Sequence, residues 1–293
     1  MEGVININKP RGVTSHDVVM QVRRITGEKK IGHTGTLDPL ATGVLVLCLG
    51  KATRIAQYLE AGEKEYRVIM RLGITTDTLD AEGKVTGTNA YTPPSHQAVV
   101  EASERFIGDI LQQPPAFSAI KIAGVPAYKL ARQGKEPVLA PRAVRIFGIQ
   151  LAGYDDPFVS LTVHCSKGVY IRTLCAEIGA ALGMGAHVTD LTRIRSGNFR
   201  IEDALALDEL ARRATEGTLS RSIISIDAAL NDFPVVLVSP EEAVRVMHGN
   251  RIACPVMQGG SKAAMVRIGS RESGLLALAR VVEGELRPEL VFS

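Results

Sequence analysis

Gly32, Gly35, Pro39 and Gly43 crowd into residues 31–43 and lead straight into the unbroken apolar run of residues 44–49. Glycine and proline at that density exclude a helix, so the first stretch is a loop with a tightly set backbone. A short apolar run bounded by turn signals reads as a strand buried on both faces. The fold must therefore be built around a central strand fed by a constrained loop.

The remaining elements assemble around that strand. Residues 4–7 form a short strand, and Asn8-Lys9-Pro10-Arg11-Gly12 a turn. Thr14 with Asp17 three residues on has the spacing of a capping box, and Val18, Val22 and Ile25 form a helical stripe behind it. Strands are expected at 66–72 and 143–151, and a helix at 95–107 closed by Gly108. Residues 158–165 alternate Val159, Leu161, Val163 and Cys165, the pattern of a half-buried strand. A further helix at 170–182 carries Ile171, Leu174, Cys175 and Ile178 on one face and closes at Gly183. Strand and helix do not alternate regularly, which points to an α+β domain with a mixed, largely antiparallel sheet and flanking helices.

The 293 residues suggest two domains at roughly 150 residues each. Residues 227–235 read as the seam, giving expected domains 1–232 and 233–293. Beyond it, Ser239-Pro240-Glu241-Glu242 is a strong helix start, and the helix stops at Gly249-Asn250. Strands expected at 264–268, 275–282 and 290–292 make the last stretch a small β-rich module.

Composition excludes several classes. No apolar run approaches the roughly 18 residues of a membrane span. The N-terminus lacks a basic-then-apolar leader, so a cytoplasmic chain is expected. Cys48, Cys165, Cys175 and Cys254 never form a C-x-x-C pair, so reduced core thiols fit better than a metal cluster. His33 has no second histidine nearby and no H-E-x-x-H occurs, so no metal is expected. The run Asp77-Thr78-Leu79-Asp80-Ala81-Glu82-Gly83 lacks the closing Glu of a calcium loop and reads as a polar turn. Gly183-Met184-Gly185 and Gly259-Gly260-Ser261-Lys262 lack the spacing of dinucleotide and phosphate loops, and no G-x-S-x-G is present. Net charge is only +3. Locally, however, Lys121, Lys129, Arg132, Lys135, Arg142 and Arg145 face Glu136 alone, a segment that serves either as phosphate contacts or as a solvated loop.

Asp38 is the one acid of the glycine-rich loop, and Pro39 biases it towards extended backbone. Such a carboxylate can be a nucleophile, a base or a ligand; an Asp before Pro can equally cap a helix. Tyr170 and Arg172, in Ser166-Lys167-Gly168-Val169-Tyr170-Ile171-Arg172-Thr173, stand where an alternating strand turns into a helix. There they either line a site or face water. Tyr66, by itself, reads as a core or edge aromatic. Arg193, Arg195 and Arg200 either bind phosphate or form a solvated strand face.

The segment GHTGTLDPLATGVL, residues 32–45, resembles the catalytic motif of the tRNA pseudouridine-55 synthases, the B family of uridine isomerases. The resemblance extends to Asn8-Lys9-Pro10, the strand from Lys64 to Arg67, Arg71-Leu72-Gly73 with Thr76-Asp77-Thr78, Gln113-Pro114-Pro115, Ser166-Lys167-Gly168 through Arg172, and Gly185-Ala186-His187 through Leu191. It covers nearly all of residues 1–230, with Leu79 a departure from a commonly polar position. It implies Asp38 as catalytic carboxylate, Arg172 as its partner, and His33, Tyr66, Tyr170 and Leu191 as contacts to a flipped uridine. Tyr66 is also a candidate proton acceptor. Lys9, Lys121, Lys129, Arg132 and Arg142 are candidates for the RNA backbone. The implied substrate is the T-stem-loop of tRNA, with no cofactor and no obligatory protein partner. The C-terminal module is implied to be a PUA-type RNA-binding unit. Two rivals remain on sequence: a non-catalytic RNA-binding protein, and an Asp-dependent N-glycosidase.

Overall fold

The computed structural model describes residues 1–135, 137–254 and 264–292. The chain opens with β1 (Gly3–Lys9) and α1 (Ser15–Thr26). The predicted capping box is present. Asp17 N–H donates to Thr14 Oγ1, the Asp17 carboxylate accepts from Thr14 N–H, and Gly27 closes the helix at φ 71°. Next come β2 (Ile31–His33) and β3 (Thr42–Leu49), which holds the apolar run 44–49, then α2 (Ala56–Glu60) and β4 (Lys64–Leu72). A small ribbon, β5 (Ile74–Thr76) with β6 (Val85–Thr88), precedes α3 (His96–Glu104) and β7 (Gly108–Gln112). The basic segment forms a two-stranded hairpin, β8 (Lys121–Ile122) and β9 (Val125–Pro126), and the short α4 (Ala127–Arg132). Then come β10 (Arg142–Asp155), β11 (Phe158–Cys165), α5 (Ile171–Ala181), β12 (Ala186–Ser196), β13 (Phe199–Arg200) and α6 (Leu207–Thr215).

Nine strands form one mixed sheet in the order β1-β3-β12-β4-β11-β10-β7, with β2 on β3 and β13 on β12. The pairs from β12 through β4, β11 and β10 to β7 are antiparallel, and β12 runs parallel to β3. The α+β expectation therefore holds. On β4 the alternation is strict: Lys64, Tyr66, Val68, Met70 and Leu72 are buried, while Arg67 and Ile69 are exposed. That period-two pattern sets which side chains can reach a site on the inner face. Cys48, Cys165 and Cys175 are buried free thiols, and burial pushes each up to about 12.

Two compact units divide between Ser222 and Ile223, earlier than the expected 232/233 boundary, and Glu2–Val4 goes with the second. The reason is local. Val4 and Ile224 exchange backbone hydrogen bonds of 2.8 Å, and Arg267 donates to the Asp227 carboxylate at 2.6 Å and to Phe233 O at 2.9 Å. The Arg267 bonds tie Asp227 and Phe233 to the C-terminal sheet, and the Val4–Ile224 pair accounts for the grouping of Glu2–Val4 with residues 223 onward. The second unit contains α7 (Ile226–Ala229), β14 (Val235–Leu237), α8 (Pro240–Met247), β15 (Ile252–Ala253), β16 (Met265–Ser270), β17 (Gly274–Val282) and β18 (Glu285–Val291). Its five-stranded sheet has the order β14-β16-β17-β18-β15. Its core packs α8 Val246 with Val266, Ile268, Leu276 and Leu286. The glycine pair in Gly259-Gly260-Ser261-Lys262 lies outside the described residues. Among the described residues no helix is long and apolar enough to cross a membrane.

Candidate active site

The loop before β3 is pinned along its length. Leu37 N–H donates to Ser15 Oγ at 2.8 Å, and Ser15 Oγ donates to Leu37 O at 3.1 Å. Gly12 N–H holds Pro39 O at 2.8 Å, and Ala41 N–H turns back onto Asp38 O at 3.1 Å. Lys9, expected at an RNA backbone, is instead fully buried. Its ammonium donates to Val13 O (2.6 Å), Pro10 O (2.8 Å) and Pro39 O (3.3 Å). It therefore clamps the loop and is not presented to a phosphate; burial pulls it down to about 8. Gly43 (φ 98°) ends the loop where an added Cβ would collide with the Arg193 carbonyl, so the approach of β3 to β12 requires glycine.

The pinned loop delivers Asp38 to the floor of a cleft of about 420 Å³, within the usual range for small-molecule sites. The next element along the chain is strand β3, not a helix, so Asp38 is no helix cap. Its carboxylate takes a fork from Arg172, Nε to Oδ2 at 2.9 Å and Nη2 to Oδ1 at 3.2 Å. Arg172 is itself held on four sides. Nη1 donates to Thr78 O at 2.7 Å and faces Asp80 Oδ2 at 3.4 Å, and Nη2 also donates to Phe117 O at 2.9 Å. Asp80, in the polar turn, is buried and accepts from Thr78 Oγ1 (2.6 Å) and Glu82 N–H (3.1 Å). Burial pushes the Asp38 carboxyl above its ordinary range, Arg172 pulls it back, and nearby Asp80 pushes it up again. Its side chain still keeps 37% of its surface, because one face opens into the cleft. A ligand seated there would complete its desolvation.

Tyr66, Leu191, Tyr170 and Arg172 all line this cleft, as do Lys121 and Arg142. Tyr66 and Leu191 face inward from adjacent strands β4 and β12. Burial raises the Tyr66 hydroxyl, and the positive charge of nearby Arg193 opposes that rise. Tyr170 stands at the mouth of α5, its peptide gripped from both ends by Gln112: Tyr170 N–H donates to Oε1 at 2.7 Å, and Nε2 donates to Tyr170 O at 3.1 Å. Lys129 and Arg132 are exposed on α4, where Arg132 stacks 5.6 Å above the Tyr128 ring. His33 is the exception. It ends β2 with Nδ1 accepting from Gly35 N–H at 3.3 Å, and it is outside the set of side chains lining the cleft.

Lys64, Asp80 and Gln112 were not legible as site residues, and Arg193 only as one of three arginines that either bind phosphate or face solvent. Arg193 is 2% exposed, so neither a phosphate-binding surface nor a solvated face describes it. It lies in the wall of the cleft, donating Nε to Val44 O at 2.7 Å and Nη2 to Gly35 O at 3.1 Å. Lys64 lines the same wall and holds Gly62 O (2.7 Å) and Glu60 O (3.1 Å); burial takes it down to about 8. Among the described residues no group of three or more His, Cys, Asp or Glu is placed to hold a metal.

An arginine-oriented carboxylate shares one cleft with two tyrosines and with the basic residues Lys121 and Arg142, an arrangement of the kind enzyme sites use. Comparison with known proteins makes the class specific. Residues 23–171 match the TruB family pseudouridylate synthase N-terminal domain, and residues 172–231 the tRNA pseudouridylate synthase B C-terminal domain. The chain is 45% identical over 249 residues to tRNA pseudouridine synthase B of Geotalea uraniireducens, covering 85% of this chain and 80% of that one. It is 41% identical to the Burkholderia mallei protein of the same name, covering 99% and 96%. A crystal structure of a Cbf5-Nop10-Gar1 complex contains a similar chain, with TM-score 0.78 and 29% identity over 99% of this chain and 85% of that one. The chain belongs to the TruB family of pseudouridylate synthases, and it is an isomerase that turns uridine in tRNA into pseudouridine.

Proposed function

We propose that the protein isomerises the uridine at position 55, in the T-loop of tRNA, with Asp38 as the essential carboxylate acting on a nucleotide flipped out of the loop. The observation that carries this reading is the Arg172 fork on Asp38 at the floor of the cleft. Breaking the C1′–N1 bond leaves the sugar carbon electron-poor, and a fixed carboxylate can stabilise or bond to it, as in retaining glycosidases. The guanidinium keeps Asp38 ionised where desolvation works against it, and sets its direction. Tyr66 supplies a stacking face for the freed uracil and a hydroxyl to accept the C5 proton that is finally lost. Tyr170 and Leu191 bound the base.

Extruding a stacked nucleotide costs a few kcal/mol. Lys121 and Arg142 at the cleft, with Lys129 and Arg132 beyond it, offset that cost through the RNA backbone. His33, off the cleft wall, would reach the RNA only at the vacated position in the loop. The second unit acts as a PUA-like RNA-binding module. The reaction gains and loses no atoms and transfers no electrons overall, so it proceeds without a cofactor; no protein partner is required, and the enzyme works in the cytoplasm.

The test is product analysis. A T-stem-loop transcript is incubated with purified protein in chelator, digested to nucleosides and sequenced for the modified position. Pseudouridine at position 55 alone is the expected product. Free uracil would indicate an N-glycosidase, and unchanged RNA a binding protein.

A further inference from the structure

Arg193 occupies its place through a break in strand regularity. In an even strand, residues 193 and 195 would share a face. A bulge between them changes the pairing of β12 with β4, so that Arg193 sits opposite Tyr66 and Arg195 opposite Glu65. Arg195 then lies on the outer face, with Nε donating to Glu65 at 2.8 Å, while Arg193 turns into the cleft wall. Bulges of this kind recur beside active sites because they re-aim one side chain.

The charge so placed is unusual. Arg172 faces two carboxylates, Asp38 and Asp80. Arg193 is as deeply buried, yet among the described residues no carboxylate lies within 4 Å of its guanidinium. Its hydrogen-bond partners are the carbonyls of Val44 and Gly35, and Tyr66 is its neighbour across the β12–β4 pair. An unneutralised buried guanidinium is costly, and its field is felt nearby: after burial itself, it is the main influence lowering His33 and opposing the rise of Tyr66.

We propose that Arg193 is a positioning residue that sets Tyr66 and Gly35 about the uracil and supplies fixed positive charge favouring the anion released when C1′–N1 opens. This rests on the isomerase reading above. When that bond breaks, its electron pair leaves with the base, and the ring carries a negative charge spread over N1, O2 and O4. After the ring turns, C5 gives an electron pair to C1′ and the ring is neutral; the C5 proton then passes to a base while N1 takes up a proton, giving the N1–H of pseudouridine. Between those steps the negative ring needs compensation. Arg172 is already committed to two acids, whereas Arg193 holds its charge beside Tyr66 in the same cleft wall, fixed by Val44 O and Gly35 O.

The experiment uses the full chain as Arg193→Lys, Arg193→Gln and Arg193→Met. A T-stem-loop tritiated at the target C5 is assayed in single turnover, RNA affinity is measured by filter binding, and each variant is melted. Gln and Met are expected to slow turnover about 100-fold with RNA affinity within threefold of wild type, and Lys to recover at least tenfold of the loss. Equal rates for Lys and Gln, or a Gln rate within threefold of wild type, overturn the proposal. Should Met melt below the assay temperature, Lys against Gln, similar in length and different in charge, makes the same comparison. Asp38→Asn and Tyr66→Phe run alongside. Full activity in Asp38→Asn would sink the underlying site instead; wild-type turnover in Tyr66→Phe would remove only the proton-acceptor role.

Discussion

Arg172 contacts Asp38, Asp80, Thr78 O and Phe117 O at once, and a lysine has one point charge with which to replace that fork. Arg172→Lys is expected to lower single-turnover rate by about 100-fold or more, with RNA affinity little changed; rapid-quench assays check it. The pH profile should be bell-shaped. In the proposed mechanism Asp38 works ionised, so activity is expected to fall as pH drops through a pKa that burial holds above the ordinary carboxylate range. On the alkaline side Lys9, drawn down to about 8, loses the proton that lets it donate to three loop carbonyls, so activity declines above that pH. Rates from pH 5 to 10 check both limbs, and a flat profile would contradict both assignments. Asp38 was visible in the sequence because it is the single acid of a glycine- and proline-set loop. Arg193 could not be told apart from Arg195 and Arg200 in the sequence, because the bulge that turns it inward depends on pairing with β4.

At the level of elements, helix starts and period-two strands were the legible parts. The capping boxes at Thr14 and Ser239 and the alternation of Phe158–Cys165 each rest on neighbours in sequence. The elements that differed rest on distant partners. The strand expected at 143–151 runs from Arg142 to Asp155, carried past two register irregularities by its pairing with β11. The last strand, expected at 290–292, spans Glu285–Val291; Pro288 argues against a strand locally, but the irregularity between Leu278 and Ala279 accommodates it. Gly43→Ala tests the junction of loop and sheet. With φ 98° and the Arg193 carbonyl in the way, it is expected to destabilise the protein by about 1–3 kcal/mol and to displace Asp38. Thermal melts and turnover should therefore fall together. Ser239→Ala, removing a cap far along the chain, is expected to cost about 1 kcal/mol, leaving turnover of the folded protein unchanged.

Taken whole, the molecule carries a net charge of only +3, so RNA binding has to come from local placement. Exposed Lys121 and Arg142 stand at the cleft itself. Lys121→Gln and Arg142→Gln are expected to weaken RNA binding, each lowering the slope of log affinity against log salt by about 1, while the rate from bound RNA stays near wild type. Titrations over a range of salt check this, and an unchanged slope would remove those residues from the interface. The proposed chemistry, however, converges on one carboxylate. The decisive measurement is C5 tritium release from saturating T-stem-loop RNA by Asp38→Asn, a change that removes charge while keeping volume. Bound RNA with no release above background is the predicted result; release within tenfold of wild type would contradict an essential ionised Asp38.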